Sequence, residues 1–100
     1  MYGTVATMKA KPGSEAALKE LMDRWWQERA PKTKGPVSSL VFRTDRDANE
    51  YIVVAVFDSK ANYVANADDP EQDKWYRDLR SLLNADPDWH DGEIVFDKQI

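Results

Sequence analysis

The sequence predicts an α+β domain in which helices cover one face of a four-stranded antiparallel sheet. Residues 51–57 are apolar at every position and rich in β-branched and aromatic residues, as is typical of a central strand whose two faces are both covered. Turn-forming residues at 45–49 precede this run, and the helix-start pair Asp58-Ser59 follows it. Apolar residues also recur at helical spacing after Ser14. Together these observations give the element order β-α-β-β-α-β.

The first strand is predicted at residues 2–9, where Thr, Val and Met interleave before the turn-forming Lys-Pro-Gly at 11–13. Ser14 is a suitable first residue for a helix that runs to about Arg29, and Pro31 ends it. The apolar stripe of this helix consists of Leu18, Leu21, Met22 and Trp25.

The second and third strands are predicted at residues 37–44 and 51–57, and the short loop between them indicates an antiparallel hairpin. We expect Leu40 and Phe42 to lie on the same face as Tyr51 and Phe57, towards the helices. The opposite face is then predicted to carry Val41, Ile52, Val54 and Val56.

The second helical segment is predicted to begin at Asp58 or Ser59 and to break at residues 68–70. Asp69 followed by Pro70 then marks a new helix start. That helix is expected to bury Trp75, Leu79, Leu82 and Leu83. A loop over 84–92 and a last short strand at 93–97 complete the pattern. With right-handed crossovers, this order gives one ferredoxin-like domain over residues 1–100.

Composition excludes several classes of function. The chain of 100 residues contains no Cys, so it has no disulfide, thiol nucleophile or thiolate metal site. The net charge of −4 argues against a nucleic-acid partner. The first residues do not resemble a signal peptide, and no apolar run has the length of a membrane span. We therefore expect a cytoplasmic protein with neither nucleic acid nor membrane as partner.

Both faces of the predicted sheet are apolar, although all helices lie on one side. An uncovered β-branched face of this kind is an association site. We therefore expect a two-fold homodimer in which two helix-free faces pack together and form an α/β barrel. The alternative is a monomer that tolerates an apolar face.

Several short motifs occur along the chain: VFDSKANYVAN at 56–66, Asp69-Pro70, Trp75-Tyr76 and WHDGE at 89–93. In these motifs the chain resembles the antibiotic biosynthesis monooxygenase (ABM) type of dimeric α/β-barrel proteins. The resemblance extends over nearly the whole chain, but these motifs identify a fold more specifically than a reaction. Such proteins include cofactor-free oxygenases of electron-rich aromatic compounds, haem-degrading enzymes and proteins without an assigned activity. The resemblance implies a ligand pocket between the sheet and the helices of each protomer.

The haem-degrading members of this group require an Asn, a Trp and an iron-ligating His. At the matching positions this sequence has Ala6, Asn66 and Tyr76. The resemblance therefore does not imply haem degradation. We expect no haem, flavin or tightly held metal, since the chain also lacks Cys and a Gly-rich phosphate loop.

Several residues are candidates for binding a ligand in the implied pocket. Asn66 is a candidate donor to a ligand carbonyl, or a helix-end residue that satisfies nearby backbone. The Tyr76 hydroxyl points either to a ligand or to solvent. His90 is the single histidine and is suited to proton transfer, whereas one His with two Asp neighbours is weak evidence for a metal site. The aromatic candidates, which are alternatively ordinary core, are Trp25, Phe42, Tyr51, Phe57 and Trp75.

Two functional hypotheses follow from these residues. The first is a cofactor-independent monooxygenase that acts on a small aromatic or quinone-like compound, whose own electrons reduce oxygen. The second is a non-catalytic module that binds a small ligand or a partner on the same dimeric scaffold.

Overall fold

The computed structural model describes residues 1–99, in which four antiparallel strands form one sheet. The strands are β1 (Tyr2–Lys9), β2 (Pro36–Arg43), β3 (Glu50–Phe57) and β4 (Asp88–Glu93). The helices are α1 (Glu15–Arg24), α2 (Lys60–Ala67) and α3 (Pro70–Ser81). The strand order β2-β3-β1-β4 is that of a ferredoxin-like fold. The predicted α+β class and the break in the second helical segment are therefore confirmed.

The predicted helix boundaries are close to those observed. The helix α1 continues into a π-helical turn, Trp25–Arg29, and a short 3₁₀ turn, Ala30–Lys32. Ser59 accepts a hydrogen bond from the backbone of Asn62 at the start of α2, and Asp69 accepts one from Glu71 at the start of α3. The Ser14 side chain makes no such bond, although it stands at the predicted position.

The core lies between the sheet and the helices. Alternate residues of β1 and the apolar stripe of α1 meet the inner face of α3 there. Its most deeply buried members are Ala6, Met8, Ala10, Leu18, Leu79 and Leu83. Among residues 1–99, no helix is long and apolar enough to cross a membrane.

The predicted faces of β2 are wrong. In the structure Phe42 pairs with Ile52 and Leu40 with Val54, so Leu40 and Phe42 lie on the face without helices. Val41 pairs with Val53 and lies on the helical side. The shift arises because the strands pair one residue out of the predicted register, which exchanges the two faces of a strand.

The predicted position of the last strand is also wrong. The strand β4 occupies Asp88–Glu93, within the predicted loop, and residues 94–99 lie outside any strand. Every side chain of β4 is exposed, so its backbone pairing with β1 defines it rather than burial. Trp89 and Asp91 pair with residues of β1 that face the helices, whereas His90 pairs with the exposed Val5.

The helix-free face is defined here as the apolar residues on the side of the sheet away from the helices. Phe42, Leu40 and Val5 are about half exposed on it. The strand β3 contributes partly buried β-branched residues between them. The helix-free face comprises Val5, Leu40, Phe42, Ile52, Val54 and Val56.

Candidate functional site

A cavity of about 460 Å³ lies between the helices and the sheet. It extends from the π-helical turn after α1, past α2 and α3, to the inner face of β1 and β3. Most of its lining is apolar or aromatic, which is typical of a small-molecule site. Its aromatic residues are Trp25, Trp26, Phe57, Tyr63, Trp75, Tyr76 and Trp89.

Four of these rings form a continuous wall. Trp25 meets Trp26 edge to face with 5.2 Å between ring centroids, and it meets Phe57 in the same way at 6.4 Å. Phe57 in turn meets Tyr63 at 5.6 Å and an interplanar angle of 82°. Edge-to-face pairs of this kind fix each ring against the next. The cavity therefore has a preformed wall suited to a flat aromatic ligand.

The helical side of the cavity carries two amide groups of fixed orientation. Asn66 Oδ1 accepts a hydrogen bond from Arg29 Nη2 at 2.8 Å, and Gln72 Oε1 accepts one from Trp25 Nε1 at 2.6 Å. Guanidinium and indole N–H groups can only donate, so both amide oxygens must face them. The NH₂ groups of Asn66 and Gln72 therefore remain as donors for a ligand.

The strand side of the cavity carries a different polar cluster. Tyr63 Oη donates to Asp91 Oδ1 at 3.0 Å, and Asp91 is the cross-strand partner of Thr4. Thr4 is only 5% exposed, and its hydroxyl lies near that of Tyr63 but makes no hydrogen bond of good geometry in residues 1–99. Burial, with a smaller contribution from Asp91, raises the pKa of Tyr63 to about 12, so the Tyr63 hydroxyl keeps its proton at neutral pH and can donate a hydrogen bond.

Five of the predicted site residues line the cavity: Trp25, Phe57, Asn66, Trp75 and Tyr76. The other candidates lie elsewhere. The Tyr51 hydroxyl donates to Glu15 at 3.3 Å outside the cavity lining, and burial raises the pKa of this tyrosine. His90 lies on the opposite face of the sheet, beside Asp88 at 3.2 Å, and Phe42 is on that face too.

Sequence reasoning did not predict nine polar or aromatic residues of the cavity: Thr4, Trp26, Ser38, Ser39, Tyr63, Gln72, Asp73, Trp89 and Asp91. Tyr63 had a usable signal, because it stands one helical turn before Asn66 and therefore shares its face of α2. Thr4 and Asp91 had none, since their proximity depends on the pairing of β1 with β4. Among residues 1–99, no three His, Asp or Glu side chains are grouped closely enough to hold a metal ion.

No protein-family model and no curated protein matches this chain. Its fold does match solved structures over nearly their whole length. A protein of Deinococcus radiodurans named a "putative antibiotic biosynthesis monooxygenase" shares 17% identity at a TM-score of 0.78, with 100% of this chain and 98% of the other covered.

Two further structures of proteins with the same name agree in fold. The protein from Caulobacter crescentus CB15 has a TM-score of 0.80 at 15% identity, with 95% of this chain and 90% of the other covered. The protein from Chloroflexus aurantiacus J-10-fl has a TM-score of 0.76 at 24% identity, with 99% and 97% covered. The resemblance predicted from the sequence is therefore confirmed in fold: this chain has the α+β fold of these structures.

Proposed function

We propose that the cavity binds a small, flat aromatic or quinone-like compound and that the protein oxidises it as a cofactor-independent monooxygenase. The observation that carries the proposal is the cavity of about 460 Å³, with its edge-to-face aromatic wall and its few oriented polar groups. The names of the structures that share the fold are consistent with this reaction class.

The substrate supplies the electrons in this reaction. An anthrone-type CH₂ group loses a proton and transfers its electrons to O₂. The carbon ends as a carbonyl, and the second oxygen atom leaves as water, so that CH₂ and O₂ give C=O and H₂O. The NH₂ groups of Asn66 and Gln72 donate to the substrate oxygen that becomes negative when the proton leaves.

Two carboxylates line the cavity and are candidates for the proton acceptor. The carboxylate of Asp73 forms an ion pair with Arg77 at 2.9 Å. Asp91 accepts one hydrogen bond from Tyr63 and retains lone pairs for another. We therefore assign the proton acceptor to Asp91.

The second candidate function is a non-catalytic module that binds the same class of ligand. One observation favours it: His90, the single histidine of the chain, lies on the other face of the sheet. The cavity consequently lacks the side chain whose ordinary pKa best suits proton transfer at neutral pH.

Oxygen consumption and ligand binding, measured on the same panel of anthrones and hydroquinones, test both functions. Cavity-lining tryptophans provide a fluorescence signal for binding. Binding with uptake of O₂ and formation of the quinone supports the oxygenase, whereas binding without uptake selects the non-catalytic module. Ala55→Leu, which adds bulk to the cavity lining, is the control and is expected to weaken binding. If wild-type protein binds none of these compounds, both functions are wrong.

We further propose that the protein is a homodimer joined through the helix-free face. Leu40, Phe42 and Val5 are about half exposed there, and a contiguous apolar surface is a typical site of association. Light scattering at micromolar concentration tests this proposal, and a monomeric mass would contradict it. The barrel formed by two sheets and the cytoplasmic location stay predictions.

A further inference from the structure

We infer that Thr4, Tyr63 and Asp91 form a second polar subsite of the cavity, which binds a hydroxyl group carried by the ligand. This inference rests on the proposed function, because it concerns the same cavity. It adds that the ligand must carry a hydroxyl group and that this hydroxyl lies on the strand side of the cavity.

The strongest observation is the Thr4 hydroxyl. It lies in the cavity lining, is buried, and makes no hydrogen bond of good geometry in the part of the chain that the structure describes, although the Tyr63 hydroxyl is close to it. A buried hydroxyl without a partner is costly and is rare unless another group completes it. A hydroxyl both donates and accepts, so a ligand hydroxyl is a suitable partner for Thr4.

Tyr63 and Asp91 give this subsite its preference for a donor. The hydrogen bond of 3.0 Å occupies the Tyr63 proton and leaves the second oxygen of Asp91 free to accept. Asp91 and Thr4 are directly paired across β1 and β4, so their side chains stand next to each other on the cavity side. A ligand O–H can donate to one lone pair of the free Asp91 oxygen while its own oxygen accepts from Thr4, and the other lone pair of that carboxylate oxygen remains for the substrate proton.

The helical side of the cavity has the opposite preference. Asn66 and Gln72 present NH₂ groups, because Arg29 and Trp25 occupy their oxygens. A ligand with a carbonyl and a hydroxyl on separate parts of an aromatic frame therefore satisfies both sides at once. Its carbonyl lies towards α2 and α3, and its hydroxyl lies towards β1 and β4.

Three fluorenones test the inference: 2-hydroxyfluorenone, its methyl ether and unsubstituted fluorenone. They share the carbonyl and the flat frame, and of the three only the first has a hydroxyl. We expect wild-type protein to bind the hydroxyl compound about tenfold more tightly than the other two. Equal affinity for all three overturns the inference but leaves the proposed function standing. If none of them binds, the proposed function fails as well.

Thr4→Val and Thr7→Val form a matched pair of variants. Both residues lie on β1, but Thr7 pairs with Ile52 and Asp88 on the helix-free side. Thr4→Val is expected to reduce the preference for the hydroxyl compound to within about threefold, without lowering the melting temperature, because it removes an unpaired buried hydroxyl. Thr7→Val is expected to leave the preference unchanged. An equal loss of affinity for all three fluorenones in Thr4→Val would show a general packing role and overturn the inference. If Thr4→Val does not fold, Thr4→Ser, which keeps the hydroxyl, must retain the preference, and its loss there overturns the inference too.

Discussion

The two faces of the sheet have similar apolar composition but very different surroundings. On the helical side Val53 and Phe57 are almost fully buried, and the layer above them leaves a cavity with oriented polar groups. On the helix-free face Leu40 and Phe42 are about half exposed. The two apolar faces of β3 therefore have two different roles. One side completes the fold and the site, and the other side is available for association.

Neighbouring residues on β3 provide the largest test of this difference. Val53→Asp places an unpaired charge in the core, at a cost of several kcal/mol, and we expect the protein to unfold. Val54→Asp places the same charge on the helix-free face, and we expect a folded monomer. Circular dichroism and light scattering on both variants measure these outcomes.

The two variants are expected to differ in both folding and association. If the Val54→Asp variant unfolds as completely as the Val53→Asp variant, the helix-free face is part of the protomer core. If the Val54→Asp variant remains a dimer, Val54 lies outside the interface. Leu40→Ser is a milder control, since it reduces the apolar surface without adding a charge.

Asn66 tests the helical side of the cavity. Asn66→Ala leaves Arg29 without its closest hydrogen-bond acceptor. This loss is costly because the arginine side chain is only 12% exposed and its Nε already lacks a partner in residues 1–99. We expect a loss of about 1–3 kcal/mol in unfolding free energy. Asn66→Asp keeps an acceptor for Arg29 and removes the NH₂ donor.

The two Asn66 variants separate stability from binding. We expect both to bind a carbonyl-bearing aromatic more weakly, whereas Asn66→Ala alone should lower the melting temperature. A thermal melt and a fluorescence titration with fluorenone measure the two quantities. Unchanged affinity in Asn66→Asp would show that the amide supports Arg29 and does not contact the ligand.

The elements of the fold were predictable because their signals are local. The stripe of α1, the Asp69-Pro70 helix start and the apolar run of β3 each specify one structure. The register of β2 was not predictable, since Leu40, Val41 and Phe42 are consecutive apolar residues that fit either face equally well. The pairing Phe42 with Ile52 depends on the conformation of the loop at 45–49.

The position of β4 and the polar residues on the strand side of the cavity could not be predicted from the sequence for a related reason. Burial gives no signal for β4, because all its side chains are exposed, while the apolar residues at 94–96 gave a false one. The pairing of Asp91 with Thr4 follows from the position of β4. Five of the candidate residues nevertheless lie along the cavity, since Trp25, Phe57 and Trp75 have the inward-facing spacing of their helix or strand.

At the end of β3, on the side of the sheet away from the helices, the buried group is the charged side chain of Glu50 and not an apolar one. A variant of Glu50 tests how much its ion pairs contribute to stability. The residue is 2% exposed and receives hydrogen bonds from Arg46 at 2.6 and 3.0 Å, with Lys9 also at 3.0 Å. Hydrogen bonds from Arg46 and then Lys9 lower the pKa of Glu50 from 4.5 to about 2.

The acid dependence of stability follows from this depressed pKa. The stability that Glu50 contributes is fully present above pH 4.5, the value in the unfolded chain, and is lost as the pH falls towards 2. Glu50→Gln should therefore flatten the dependence of the melting temperature on pH over this interval and leave fluorenone affinity at neutral pH unchanged. An identical acid profile in wild type and Glu50→Gln would contradict the assignment.

Adjacent serines on β2 give the smallest and most local test. Trp26 Nε1 donates to Ser39 Oγ at 2.8 Å on the helical side, whereas Ser38 pairs with Val56 and its side chain makes no hydrogen bond within residues 1–99. Ser39→Ala is expected to cost about 0.5–1.5 kcal/mol and to alter tryptophan fluorescence, because a part-buried indole loses its acceptor. Ser38→Ala should change the unfolding free energy by less than about 0.5 kcal/mol. Urea denaturation measures both. The opposite ranking would contradict the role of Ser39 as the acceptor that holds the Trp26 indole.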